Sequence, residues 1–420
     1  MIVPRLAARS LANRKLSAGL TVASIALSVL LLLGVATIRD AMRTSFADTV
    51  SGTDLLVGAR TGAVELLLYS VFHIGNATNN IRQTSVDDIA RRPEVEWIVP
   101  ISLGDSHRGF RVVGTSAVFF DRYRYRDRQP IAFRSGKPFA DLFDTVIGAD
   151  VADALGYRVG DQVVVAHGLG TLAGMTHQDA PFVISGVIAK TGTPVDKSVF
   201  ISMPAIEAIH VDWQNGAPPA PGRATPADLI RAMNLETKQL TAVMVGVKPN
   251  ANPGALRQYV VTYRDEPLTA VLPADALDRL WSVFAPAETA LVAISLAVML
   301  AAVVGMMTTI LSTLGERRRE MAILRAVGAR PTTVFALLLA EAGALAIAGA
   351  LAGIALTYAA LFVARPWIDG KFGLYLPLAA PGPPEALALA IAVLAGLAVG
   401  LVPAARAYRN SVADGIIVRS

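Results

Sequence analysis

GERRREMAILRAVGARPTTV, residues 315–334, lies between two long apolar runs and decides how the rest of the chain is read. Its charges are bunched in Glu316, Arg317, Arg318, Arg319, Glu320, Arg325 and Arg330, while Met321, Ile323, Leu324 and Val327 place apolar surface at helical spacing. Gly328 stands where a helix would stop, and Pro331 where the next would take its first turn. The pattern fits a short amphipathic helix (315–331) lying across a membrane face between two spanning helices. On composition alone it also fits a charged loop obeying the positive-inside rule.

Working outward, the apolar run that ends at this stretch covers 285–314, and two more follow it at 332–363 and 385–406. A fourth, 17–38, lies near the N-terminus behind Arg5, Arg9, Arg14 and Lys15, and each run is long enough to cross about 30 Å of hydrocarbon. The first exceeds the length of a signal-peptide apolar region, and no small-x-small cleavage site follows it before Arg39 and Asp40, so it reads as a retained span. The N-terminus (1–16), the 315–331 stretch and the tail (407–420) are basic, while the loop at 364–384 is nearly neutral. Four spans with both termini inside satisfy that distribution, which puts 39–284 outside.

Residues 39–284 read as a folded domain. RDAMRTSFADTV (39–50) continues the first helix outward, and LPADALDRLWSVF (272–284) leads into the second span, where Pro286 should kink it; the two extensions would form a stalk. SVDDIARRPEVEWIVPI opens as a helix and passes through Pro93 into a strand. FRVVGT, DTVIGA, DQVVVAHG, PFVISGVIA, SVFISM and LTAVMVGV are strand-like, and VADALGYRVGD is a short helix with a turn at Gly156. HVDWQNGAPPAPGRATPADL reads as a loop. The expectation is an α-helical membrane protein with four transmembrane helices and a large α+β extracytoplasmic domain on a helical stalk, with one lobe inserted into another at about 121–238.

Only 17% of the 420 residues are charged and there is no cysteine, which excludes disulfide staples and thiolate metal sites. The net charge of +5 sits largely beside the apolar runs, so membrane topology explains it better than nucleic-acid binding. Neither Gly-Lys pair, at Gly136 and Gly370, has the upstream glycine of a phosphate-binding loop, so the chain is not expected to hydrolyse ATP.

The run from Glu316 to Ala329 resembles the E-R-R-x-E-[IM]-[AG]-[IL]-L-[RK]-A-[LV]-G-A segment after the second span of FtsX/MacB-type ABC transporter permeases. LAARSLANRKLSAGLTVASIALSVLLLLG resembles their opening. VPAARAYRNSVADGI is similar to their closing pattern, with Val412 in place of its second proline. VIGADVADALGYRVGDQVVV and FVISGVIAKTGTPVDKSVFI resemble their outer domains, whereas DLLVGARTGAVELLLYSVFHIGNATNNI looks peculiar to one branch.

The resemblance implies a multi-pass protein of the bacterial inner membrane with its large domain in the periplasm. It would bind no cofactor itself and depend on a separate ATPase subunit carrying ATP and Mg. A second permease copy (a homodimer) and a periplasmic adaptor or lipoprotein are further implied partners. ATPase docking would fall to the apolar knobs Met321, Ile323, Leu324 and Val327, the orienting charges Glu316, Arg317, Arg318, Glu320 and Arg325, and Gly328 for close approach. The implied function is mechanotransmission, exporting or extracting a hydrophobic or periplasmic substrate. The alternative is a non-transporting FtsX-like module that activates a periplasmic partner.

Gly349 and Gly353 in the third span, and Gly396 and Gly400 in the fourth, form G-x-x-x-G pairs that suit close helix packing within one subunit or across a dimer. Glu341 lies inside the third span and Glu288 near the outer end of the second. An acid at bilayer depth faces protein or water, so Glu341 is either a polar hinge or partner contact or a glutamate near the inner interface. Among His73, His107, His167, His177 and His210, no spacing gathers a metal site. His167 and His177, flanking HGLGTLAGMTHQD, are the best candidates, and structural or surface roles are the expectation. No hydrolase signature is present.

Overall fold

The structure is a computed structural model that describes residues 7, 11, 12, 14–126, 128–168, 181–213, 223–316, 323, 325–372 and 380–409. It divides into a helical unit, built on residues 1–41, 285–367 and 376–420, and an outer unit built mainly on 42–284.

Along the chain, α1 (Lys15–Thr49) is followed by β1 (Leu55–Ala59), α2 (Ala63–Ser70), β2 (Ile81–Arg82), α3 (Gln83–Ala90), β3 (Val95–His107) and β4 (Phe110–Thr115). Then come α4 (Val118–Arg122), β5 (Arg124–Tyr125), β6 (Gln129–Pro130), β7 (Phe133–Gly136), β8 (Asp144–Ile147), α5 (Ala149–Leu155), β9 (Gln162–Val163) and β10 (Ala166–His167). The outer unit continues with β11 (Phe182–Ile188), β12 (Ser198–Ser202), α6 (Met203–His210), α7 (Ala227–Arg231), β13 (Gln239–Leu240), β14 (Ala242–Val247), α8 (Pro253–Val261) and β15 (Leu268–Val271). Three long helices follow: α9 (Pro273–Glu316), α10 (Pro331–Phe372) and α11 (Pro383–Arg409).

The main sheet runs β15-β1-β14-β3-β4-β12-β8-β11-β7, with β10 added to β3 and β9 to β11. Strands β4 and β12, and β8 and β11, pair in parallel; the other pairings along this order are antiparallel. Period-two alternation explains why both faces are covered. On β1, Leu55, Val57 and Ala59 enter one core with Val243, Val245 and Val247 of β14. Leu56, Ala242 and Met244 enter the opposite core, with Leu66 and Leu67 of α2. On β12, Val199 and Ile201 join Val151 of α5 and Ile209 of α6, while Phe200 turns to the other side. Each such side chain contributes about 1.5–3 kcal/mol by leaving water.

Strand β3 pairs with different neighbours along its length. Val95 to Ile101 pair with β14, and Ser102 to His107 pair with β4. At the crossover the Thr241 N–H donates to the Ile101 carbonyl at 3.0 Å. The Leu103 N–H donates to Thr241 Oγ1, also at 3.0 Å. One continuous strand therefore serves both stretches of the sheet. DQVVVAHG differs from the expected single strand. It makes two short ones, β9 on β11 and β10 on β3, because its two ends pair with different strands.

Four helices are long and apolar enough to cross a membrane among the described residues: Lys15–Thr49, Pro273–Ser312, Pro331–Ile368 and Glu385–Ala405. Helix α9 continues through Pro286. Helix α10 runs through Arg365 and Pro366 to Phe372, into what composition marks as the 364–384 loop, since helix propagation does not stop where the apolar stretch ends. Inside the helical unit, Ile25, Val29 and Leu33 of α1 pack with Ala302, Met306 and Ile310 of α9 and with Ala342 and Leu345 of α10. Leu291, Ile294, Leu300, Leu351, Phe362 and Leu394 stay exposed on its outer surface, as side chains facing lipid do.

Candidate functional site: a basic turn and close-packed spans

Between α9 and α10 the chain returns through the basic stretch. Glu316 is the last residue of α9. Arg317, Arg318, Glu320, Met321 and Leu324 lie outside the described residues. Ile323 and Val327 are described, four residues apart, and the Val327 N–H donates to the Ile323 carbonyl at 3.0 Å, so both occupy one helical face. They are 56% and 83% exposed. Arg325 on the same turn is half-buried. The Gly328 N–H donates to the Arg325 carbonyl at 3.0 Å, and Gly328 takes φ 102°, which ends the turn as a residue with a Cβ rarely does. The arrangement leaves two aliphatic side chains open to solvent beside the half-buried Arg325.

The four glycines of the spans meet neighbours inside this subunit. A Cβ built on Gly349 would fall 2.6 Å from Cβ of Ile25, and one on Gly353 would fall 2.5 Å from Cβ of Val29. A Cβ on Gly396 would lie 2.8 Å from that of Ala346, and one on Gly400 2.5 Å from that of Ala342. Helix α10 thus lies against α1 on one side and α11 on the other at backbone-limited distance, the approach that small residues permit in lipid. Glu341 is 5% exposed, inside this bundle, while Glu288 on α9 is half-buried.

The outer ends of α1 and α9 enter the outer unit's core. Phe46 stacks on Phe72 at 4.4 Å and meets Trp281 edge-on at 5.5 Å, and Ala276, Leu277 and Leu280 are buried with them.

The histidines sort by environment. His73 Nδ1 shares a hydrogen bond with Ser198 Oγ at 2.8 Å; burial, aided by the Arg111 charge, pushes its pKa down to about 3. His107 has both ring nitrogens engaged, Nδ1 with the Val164 carbonyl at 2.6 Å and Nε2 with the Tyr157 hydroxyl at 3.0 Å; burial lowers its pKa too. His177 lies outside the described residues. His167 is brought against Asp105 and His210, two residues that sequence spacing did not connect with it. The available signal was the aspartate in SLGDSH, an acid at the end of a strand-like stretch.

Residues 292–412 match the family described as FtsX-like permease C-terminal, and residues 18–263, more than half the chain, match the MacB-like periplasmic core domain. No curated protein matches the chain. Among solved structures, the periplasmic region of MacB from Actinobacillus actinomycetemcomitans aligns at 8% identity and a TM-score of 0.34, covering 56% of this chain and 97% of that one. The extracellular domain of the noncanonic ABC-type transporter YknZ from Gram-positive bacteria aligns at 10% identity and a TM-score of 0.29, covering 52% and 99%. On the two family matches, which together take in the spans, the basic turn and the outer domain, the chain belongs to the FtsX/MacB-type ABC transporter permeases, multi-pass inner-membrane subunits of systems that work with an ATPase subunit.

Proposed function

We propose that this permease is a mechanotransmitter: ATP-driven closure of two partner ATPase subunits, which carry the ATP and Mg, moves the 315–331 turn. The unbroken helices α1 and α9 then carry that movement to the periplasmic domain, which exports or extracts a hydrophobic or periplasmic substrate. Two ATPase subunits imply two permease copies, and a homodimer is the simplest assembly. A periplasmic adaptor or lipoprotein is the further partner that the outer domain would engage.

The observation that carries this reading is the exposure of Ile323 and Val327 on one helical face of the basic turn. Aliphatic side chains so open to solvent at a charged stretch suit a helix-in-groove contact, whose anchors recur at such spacing. Helix α1 supports the second half, since it runs without a break from Lys15 to Thr49 and ends beside the outer-domain core residues Phe46 and Val50.

The test is co-purification of the permease with its cognate ATPase in detergent. Ile323→Asp and Val327→Asp, which place a charge in the groove without disturbing a buried core, should abolish association while the permease itself remains folded. Leu324→Asp combined with Arg325→Asp should do the same. Retained association and unchanged ATPase stimulation in all of these would overturn the docking role.

A further inference from the structure

We propose that Asp105, His167 and His210 form a binding site for a divalent transition-metal ion of the zinc class in the inserted lobe of the periplasmic domain. Asp105 and His167 are directly opposed across the antiparallel pair β3 and β10, and His210 is the last residue of α6. One potential ligand atom from each residue lies within 4.8 Å of the other two. The imidazoles of His167 and His210 are 4.6 Å apart, and Trp213 covers His167 edge-on at 4.4 Å.

The carboxylate explains why a cation belongs here. Asp105 is 3% exposed, so its charge has left water and needs compensation. Its Oδ1 comes within 3.0 Å of His167 Nδ1, the spacing of an ion pair. Yet that oxygen accepts no directed hydrogen bond among the described residues. An oxygen and a nitrogen at that spacing can serve as two ligands of one ion. On a tetrahedral zinc with bonds of about 2 Å, neighbouring ligand atoms stand roughly 3.3 Å apart.

The third position is prepared as well. His210 Nδ1 donates to the Ile206 carbonyl at 2.6 Å, which fixes the ring and leaves Nε2 as the metal-facing nitrogen. The set is then Asp105 Oδ1, His167 Nδ1 and His210 Nε2. Two imidazoles with one carboxylate favour zinc, cobalt, nickel or copper over magnesium or calcium, which prefer all-oxygen shells. Both rings are half-exposed, so three protein ligands leave a fourth position open to water or to a ligand from another molecule.

The full-length chain, purified in detergent through a tag free of histidine and stripped with chelator, should bind one equivalent of Co2+ per chain. Visible d–d absorption should appear, displaced by Zn2+, with quenching of Trp213 emission that is lost in Trp213→Phe. Asp105→Asn, His167→Gln and His210→Gln should each weaken Co2+ binding at least tenfold, and zinc should raise the unfolding temperature of the parent but not of these variants. Should Asp105→Asn not fold, His210→Gln decides, since its ring is half-exposed at a helix end. Absence of Co2+ absorption in the parent would mean an Asp–His ion pair with no metal and would overturn the proposal. Undiminished binding in the histidine variants, which would place the metal elsewhere, would overturn it equally.

Discussion

The guanidinium of Arg43, near the outer end of α1, lies 5.5 Å over the indole of Trp281 in α9. The same indole meets Phe46 edge-on. This contact ties together two helices that each continue into an apolar span. A cation over an aromatic face contributes about 0.5–1 kcal/mol at a site of moderate exposure. In a double-mutant cycle, Arg43→Ala and Trp281→Phe should therefore show a coupling energy of that order in thermal unfolding. Purely additive stabilities would show that the two helices are not held there.

Gly353 and Gly400 admit no side chain, whereas nothing lies within 4 Å of a Cβ built on Gly305. Gly353→Val and Gly400→Val should lower the unfolding temperature in detergent by the cost of overpacking, roughly 1–3 kcal/mol each, while Gly305→Ala is tolerated. Equal behaviour of the three variants would contradict the packing of α10 between α1 and α11.

His73 makes the outer domain sensitive to acid. Its pKa is pushed to about 3, below the ordinary value near 6.5, so the native state stays neutral where the unfolded chain takes up a proton. The contribution to stability is fully present above about pH 6.5 and falls away as the pH drops toward 3, with a slope of at most about 1.4 kcal/mol per pH unit. Unfolding midpoints measured between pH 7.5 and 4.5 should fall less steeply in His73→Asn than in the parent. Parallel curves would assign the acid sensitivity to other groups.

Asp196, 0% exposed, organises the turn before β12. Its carboxylate accepts the Thr191 N–H and hydroxyl, both at 2.8 Å, and the Gly192 N–H at 2.7 Å. Asp196→Ala leaves those donors buried without an acceptor and should destabilise the domain by about 2–4 kcal/mol, with Asp196→Asn milder because one carbonyl oxygen remains. A change below about 0.5 kcal/mol in the alanine variant would mean that water reaches the turn.

Local sequence carried most of the architecture. Four apolar runs, the distribution of Arg and Lys, the wording from Glu316 to Ala329 and the alternation in FRVVGT, SVFISM and LTAVMVGV depend only on neighbours along the chain, so spans, basic turn and strands are legible there. The strand Leu55–Ala59 and its partner Leu268–Val271 are not. Both sit in the sheet through pairing partners far away in sequence, Leu55 opposite Val245 and Leu56 opposite Val271. For the same reason only the tertiary structure decided that β3 pairs with both β14 and β4, that Gly349 and Gly353 pack on Ile25 and Val29 of the same subunit, and that Asp105 meets His167 and His210. Each of these depends on how non-local strands and helices come together, and residue spacing along the chain carries no record of that distance.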